Sequence, residues 1–237
     1  MIDWQEDLLC RLHAHESEHA LFEVIAVLAH DLGFDYCCYG LRTRLPLTQQ
    51  KTVIFNNYPC GWEDRYQASN YLAVDPTVQH GVHSLLPVIW SDELFSCASE
   101  LWEDARSVGL KIGWAQASRD INGVGGLLTL ARSGEAISAA ELRDKEYKMV
   151  FLAQAAHLEM SHCLINKIMP DTKSQLSSRE VEVLQWTGDG KTSGEISEIL
   201  NISERTVNFH AGNAMVKLNA ANKAAAVVRA AMLGLLH

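Results

Sequence analysis

Tyr58, Trp62 and Tyr66 recur every four residues, and Asp75 follows nine positions later beside Pro76. On a helix, that spacing puts the three rings on one face. Each ring carries a polar tip, and a buried tip needs a hydrogen-bond partner. Three such rings and one carboxylate suit a mostly apolar ligand with a polar head. The plainer reading is an aromatic core stripe with a capping Asp, and the choice of Tyr and Trp over Phe weighs a little against it. A second set lies near the C-terminus. From Glu204 to about Leu218, the residues Val207, Ala211, Ala214 and Leu218 share one face on a 3.6-residue period. That turns Arg205, Asn208, Phe209, Gly212, Asn213 and Val216 outward. Asn suits bidentate contact with adenine, and Phe suits a thymine methyl. Gly212 permits close approach to a groove and supplies no side chain. Thr206, His210, Lys191 and Lys217 suit phosphate oxygens. The competing reading is a solvated helix in an ordinary bundle.

The elements around these residues follow from local signals. Thr192 and Glu195 have capping-box spacing ahead of Ile196, Ile199 and Leu200, and Asn201-Ile202-Ser203 breaks the pattern before the next helix starts. A short helix, a three-residue turn and a longer polar-faced helix is the shape that enters a DNA major groove. Ser177 and Glu180 form another capping box, opening a helix that ends at Gly188-Asp189-Gly190. A further helix follows Asn222. Upstream, the pattern predicts helices over 3–14, 17–32, 92–108 and 138–168, a helix from about Trp62 through Tyr66, and a segment from Pro76 to His83. Strands are predicted over 34–41, 52–55, 112–118 and 126–131, the last two joined at Asn122-Gly123. Helices flanking the strands on both sides imply an α/β/α sandwich with an antiparallel sheet.

Composition narrows the class. The chain has 237 residues, 48% of them hydrophobic, and a net charge of −9, so two domains with real cores are expected. No apolar run reaches the ~20 residues of a membrane span. The acidic start, Met1 to Asp7, is unlike a signal peptide, which points to the cytoplasm. Residues 1–170 hold 13 Lys and Arg against 22 Asp and Glu, whereas residues 171–237 hold seven of each. Within the latter, Arg205, Lys217, Lys223 and Arg229 face only Glu204 from 203 onward. Cationic charge is thus concentrated on the candidate DNA-reading helices, but it is modest, and a single copy would bind DNA weakly. The six cysteines show neither a disulfide framework nor zinc spacing, and Cys37-Cys38 read as buried strand residues.

Some motifs mislead. His15-Glu16-Ser17-Glu18-His19 fits the His-Glu-x-x-His pattern, but Ser17 looks like a helix N-cap inside it, and a solvated turn is the better reading. Gly123 to Gly126 lacks the Lys-Ser/Thr of a phosphate loop and leads into a strand. No Ser/His/Asp spacing suggests a nucleophile. No metal or cofactor and no catalytic residue is expected.

Residues Leu176 to Leu236 resemble the LuxR-type helix-turn-helix. The carrying residues are Ser178-Arg179-Glu180, Leu184, Trp186, Gly190-Lys191-Thr192, Glu195-Ile196, Ile202-Ser203, Thr206-Val207, His210, Lys217-Leu218 and Asn222-Lys223-Ala224. The N-terminal part is similar to the acyl-homoserine-lactone-binding domain of quorum-sensing regulators through Tyr58, Pro59, Trp62, Tyr66, Asp75, Pro76, Trp90, Trp102 and Gly113. The fold class implied is α+β. A ligand-binding and dimerisation sandwich would span 1–169, a linker 170–175, and an all-α four-helix helix-turn-helix domain 176–237.

The resemblance also implies roles. Trp62 would donate to the lactone carbonyl, Asp75 would accept from the ligand amide N–H, and Tyr58 would donate to the amide carbonyl with Thr129 as a second donor. Tyr66, Trp90, Trp102, Ala105 and Gly113 would shape the pocket, and Cys38 and Gly40 would line its sheet side. Acyl-chain depth would be set by side chains such as Leu110, Leu127 and Leu128. Without ligand, Asp75, Trp62 and Tyr58 would be left partly unpaired, so ligand would stabilise the domain. Dimerisation would then place two recognition helices one turn apart on a pseudo-palindromic operator, with RNA polymerase as a further partner. Two alternatives belong to other classes. An acyl-lactone-processing enzyme would need a metal or nucleophile beside Asp75. A phosphorylation-gated regulator would need βα alternation that the N-terminal strands do not follow.

Overall fold

The computed structural model describes residues 4–13, 17–43, 45–120, 123–168 and 176–236. The chain divides into two compact units. The first opens with α1 (Trp4–His13) and α2 (Glu18–Asp31), followed by strands β1 (Tyr36–Arg42) and β2 (Thr52–Asn56). Then come α3 (Trp62–Ala68), a 3-10 turn at Tyr71–Ala73, α4 (Pro76–His83), β3 (Val88–Ile89) and α5 (Ser99–Ser107). Strands β4 (Ile112–Arg119) and β5 (Gly125–Arg132) and the 30-residue α6 (Ala139–Ile168), as far as Leu164, complete it.

The five strands form one antiparallel sheet in the order β2-β1-β5-β4-β3. Alternation along each strand separates its two faces. On one face, Tyr39, Leu128, Leu130 and Trp114 are fully buried under the helical layer to which α6 contributes Met149, Leu152, Ala156, Met160 and Leu164. His157 of α6 joins this face. Its Nδ1 lies 2.8 Å from the Tyr39 hydroxyl, and its Nε2 lies 3.1 Å from the Val124 carbonyl. A carbonyl only accepts, so Nε2 carries the proton and Nδ1 accepts from Tyr39. Cys38, Thr129, Ala131, Gly113 and Ala115 point to the opposite face, where the candidate pocket lies.

The second unit holds α7 (Ser178–Gly188), α8 (Ser193–Leu200), α9 (Glu204–Lys217) and α10 (Lys223–Met232). Both predicted capping boxes form, at Ser177 with Glu180 and at Thr192 with Glu195. Asn201 ends α8 in the left-handed conformation, with φ 52°, which Asn tolerates better than most residues. Ser203 then caps α9 by accepting from the Thr206 N–H. Val207, Ala211 and Ala214 are fully buried as the 3.6-residue period requires. They divide between two apolar clusters, one with Val183 and Ile196, the other with Leu184, Leu218, Ala226 and Ala230.

Several local features differ from the sequence-based expectations. The helix expected over 92–108 begins only at Ser99, because Asp92 is drawn into side-chain bonds with Trp102 and Arg106 and the chain turns through 92–98. Strand β3 is two residues long and has no periodicity to read. Tyr58 lies in the turn ahead of α3, which begins at Trp62 as expected, and the chain turns at Gly61 with φ 83°. Leu128 faces α6, away from the pocket. Ser17 stands at the N-cap of α2 but makes no side-chain cap bond. His15, Glu16, Asn122 and the 170–175 linker lie outside the described residues, so those readings have no structural counterpart.

Candidate ligand-binding and DNA-binding sites

Tyr58, Trp62, Tyr66, Trp90, Trp102 and Ala105 come together in one apolar cluster on the sheet face opposite α6. Local geometry explains how. The turn before α3 lets Tyr58 pack edge-on against Tyr36, with ring centroids 6.3 Å apart. Trp62 opens α3 and is 5% exposed, and Tyr66 lies one turn along, its ring 6.0 Å away. Trp102 from α5 stacks on Phe95 at 4.6 Å and meets Trp90 edge-on at 6.1 Å. The sheet supplies the floor, where Cys38 pairs in register with Thr129, which lies beside Ala115.

The sequence reading did not find Tyr71 or Phe95. Tyr71 stacks on Trp62 at 6.4 Å, and its hydroxyl donates to Asp104, which also accepts from Arg65 at 2.6 Å. These two bonds, Tyr71 first, hold the Asp104 carboxyl below its ordinary range. Tyr71 sits on a 3-10 turn and Phe95 in an irregular segment, so neither continues the four-residue spacing. Asp92 accepts from the Trp102 indole N–H at 2.6 Å and fixes that ring. The Trp90 N–H is buried with no hydrogen-bond partner among the described residues.

Asp75 caps a helix and also meets the aromatic cluster through Tyr66. One oxygen accepts from the Thr77 N–H at 2.8 Å and the Thr77 hydroxyl at 2.6 Å. The other accepts from the Tyr66 hydroxyl at 2.8 Å. Asp75 is thus only partly unpaired without ligand: Pro76 opens α4, Asp75 is its N-cap, and three of its acceptor positions are taken. Burial pushes Tyr58, Tyr66 and Cys38 well above their ordinary ranges, and the Asp75 charge adds to each shift, so all three stay protonated at neutral pH. Gly113 lets the Trp90 ring pack against the sheet, because a Cβ there would fall 2.2 Å from that ring.

In the second unit, α9 presents Arg205, Asn208 and Phe209 to solvent, with Phe209 62% and Val216 82% exposed. Thr206 and His210 are half-buried, the former bonded to Ser203 Oγ at 2.7 Å and the latter edge-on to Phe209 at 5.6 Å. Gly212 and Asn213 are half-buried, and a Cβ at Gly212 would meet nothing. Lys191 is exposed ahead of α8.

The structure gives Lys217 a different neighbour from the one expected. Its ammonium lies 2.7 Å from a carboxylate oxygen of Glu180, which is 3% exposed. Arg229 donates to the Leu218 and Asn219 carbonyls at the end of α9. Lys223 is also bonded within the unit, to Ser193 and Asn208, so three of the four cations counted toward DNA are engaged there.

Residues 17–160 match the autoinducer binding domain, and residues 174–230 match the LuxR family of bacterial regulatory proteins. The chain is 46% identical over 238 residues to the transcriptional activator protein AnoR of Acinetobacter nosocomialis, with 100% of each chain covered. It matches the crystal structure of Escherichia coli SdiA at a TM-score of 0.85 and 36% identity, over 99% of this chain and 98% of that one. SdiA in complex with octanoyl-rac-glycerol matches at a TM-score of 0.82 and 36% identity, over 100% and 99% of the two chains. With an aromatic-walled sensing unit and a doubly capped helix-turn-helix both matched, the chain belongs to the LuxR family, as an autoinducer-binding, DNA-binding transcriptional regulator rather than an enzyme.

Proposed function

We propose that this regulator binds an N-acyl-homoserine lactone between the Tyr58–Trp62–Tyr66–Asp75 cluster and the sheet. Bound as a homodimer to a pseudo-palindromic operator, it would control quorum-sensing genes in the cytoplasm. The observation that carries the reading is the Asp75 carboxylate. It already accepts three hydrogen bonds, two from Thr77 and one from Tyr66. A carboxylate has about four acceptor positions, so one is left for an amide N–H. Trp62 and Tyr58 supply donors for the lactone and amide carbonyls, with Thr129 as a second donor. Cys38, Trp90, Trp102, Ala105 and Gly113 bound the space taken by the acyl chain, directly or through a neighbour.

The sensing and dimerising domain would span 1–169, the linker 170–175 and the DNA-binding domain 176–237. Lys191, Thr206 and His210 would hold phosphates, and Asn208, Phe209, Gly212 and Asn213 would meet the groove. A single recognition helix has little free positive charge, and pairing two copies doubles the phosphate contacts. In an activator, the DNA-bound dimer would also meet RNA polymerase.

An acylglycerol is a second ligand class, favoured by the octanoyl-rac-glycerol complex of SdiA. Its hydroxyls could donate to Asp75 in place of an amide. Expressing the chain with a panel of acyl-homoserine lactones plus octanoylglycerol, then identifying the retained molecule by mass spectrometry, tests both. Retention of one lactone supports the main reading. Retention of the glycerol ester alone supports the second, and a soluble chain that retains neither contradicts both.

A further inference from the structure

The outward face of α9 carries one side chain whose orientation is set from behind. Asn208 Oδ1 lies 2.7 Å from Lys223 Nζ, at the first turn of α10, and 3.0 Å from Ser193 Oγ, at the first turn of α8. Lys223 Nζ also lies 2.7 Å from Ser193 Oγ. The three side chains close a small ring across three helices. An ammonium can only donate, so the carboxamide atom facing Lys223 must be the oxygen. Ser193 accepts from Lys223 and passes its own proton to the same oxygen. The oxygen thus takes two donors, one of them charged, and charge-assisted bonds are about twice as strong as neutral ones. Nδ2 is the carboxamide atom that these bonds leave over, on an exposed side chain.

We infer that Lys223 and Ser193 lock Asn208 as a donor-only reader of the major groove. A free Asn reads adenine by pairing its oxygen with the N6 amino group and its nitrogen with N7. With the oxygen held, that pairing is lost. The two N–H groups can still meet acceptors: guanine offers two, O6 and N7, and thymine offers O4, whereas the one acceptor of adenine, N7, stands beside its N6 donor, which an N–H repels. Asn208 should therefore favour a keto base over adenine or cytosine at the base pair it faces. Lys223 acts as a positioning residue, without needing to touch a base. This rests on the DNA-binding role proposed above for α9.

The test is selection of random duplex DNA by the full chain purified with N-octanoyl-homoserine lactone, comparing wild type, Asn208→Ala, Lys223→Met, Lys223→Arg and the Asn208→Ala/Lys223→Met double variant. Asn208→Ala should flatten one position of the selected sequence. Wild type should prefer guanine or thymine there by roughly tenfold, within the range a good side chain–base pairing discriminates. Lys223→Met should shift that position toward adenine, Lys223→Arg should keep the wild-type profile, and the double variant should match Asn208→Ala. Adenine preferred by wild type at that position would overturn the inference. So would a Lys223→Met profile that is weaker everywhere but unchanged in shape, or an Asn208→Ala profile identical to wild type. A wild-type chain that enriches no sequence at all overturns the underlying DNA-reading role instead, and the inference falls with it.

Discussion

Lys217 and Glu180, 37 residues apart, form an ion pair that ties the end of α9 to the start of α7. Lys217 Nζ lies 2.7 Å from the Glu180 Oε2 that also accepts the Ser177 N–H at 2.7 Å. Burial alone would push the Glu180 carboxyl up. The bonds from Lys217 and Ser177 outweigh it, and the group titrates below its ordinary range. Lys217→Met would strand a buried carboxylate and should destabilise the second unit by about 2–3 kcal/mol, somewhat under the figure for a fully buried pair because Lys217 is partly exposed. Urea unfolding followed at Trp186 would measure it. A loss of DNA affinity at unchanged stability would instead mark Lys217 as a phosphate contact.

Trp62→Phe and Asp75→Asn separate the ligand's polar contacts from the fold. Phe keeps a ring in the Trp62 position and removes the N–H. Asn caps a helix about as well as Asp, so α4 should survive. Each variant should lose about tenfold in lactone affinity, the scale of one hydrogen bond, with stability changed by less than about 1 kcal/mol. Calorimetric titration with N-octanoyl-homoserine lactone, paired with unfolding curves, checks both halves of the claim.

Two glycines offer a matched pair on opposite faces of the sheet. A Cβ at Gly113 would fall 2.2 Å from Trp90, and one at Gly126 would fall 2.2 Å from His157 Nδ1. Either substitution by Ala overpacks its site and should cost about 1–3 kcal/mol. Only Gly113→Ala moves a pocket ring, so only it should change the rank order of acyl-chain lengths. The readout is a binding series over lactones of increasing chain length. The same change of order in Gly126→Ala would contradict the assignment of faces.

His157 gives the first unit a pH dependence. Burial lowers its pKa, so it is neutral in the folded chain and regains a proton on unfolding below its ordinary value near 6.5. The unfolded state then binds more protons, and stability falls as pH drops below that value. The slope can reach about 1.4 kcal/mol per pH unit for one proton. His13 works in the opposite direction, because its bond to Glu159 raises its pKa, but it is exposed and its effect is weak. Between pH 6.5 and 5, before the carboxylates titrate, His157→Gln should flatten the profile. An unchanged slope in that variant would place the pH dependence elsewhere.

Signals confined to a few consecutive residues were legible in the sequence. The capping boxes at Ser177 and Thr192, the Asn201 turn and the buried face of α9 all appear where spacing put them. That Tyr58, Trp62 and Tyr66 gather in one aromatic cluster was legible too, but Tyr71 and Phe95, which lie off any helical period, were not. Long-range electrostatics were not. Nothing local tells Lys217 that its partner is Glu180, or Asn208 that Lys223 and Ser193 hold its oxygen. Strand facing was half legible: consecutive leucines at 127 and 128 must point oppositely, but only the register shows which of them meets the pocket.

Phe209 and Arg205 should separate two parts of DNA recognition. Phe209 is 62% exposed and contributes little to the core, so Phe209→Ala should leave thermal stability unchanged and weaken DNA binding. Removing an apolar contact to one thymine methyl should cost about tenfold at most. Arg205→Gln should reduce the salt dependence of binding by about one phosphate contact per copy. Anisotropy titrations at several salt concentrations distinguish the two.

Ligand-gated DNA binding, with the gate at Trp62 and Asp75, is tested most directly on the duplex recovered by selection. Its affinity for the full chain is measured by anisotropy with and without N-octanoyl-homoserine lactone. Binding should be at least about tenfold tighter with the lactone, within the usual range of coupling between two sites, with little gain in the Trp62→Phe/Asp75→Asn double variant at the same concentration. Equal DNA affinity with and without the lactone, in a chain that demonstrably binds it, would contradict the account.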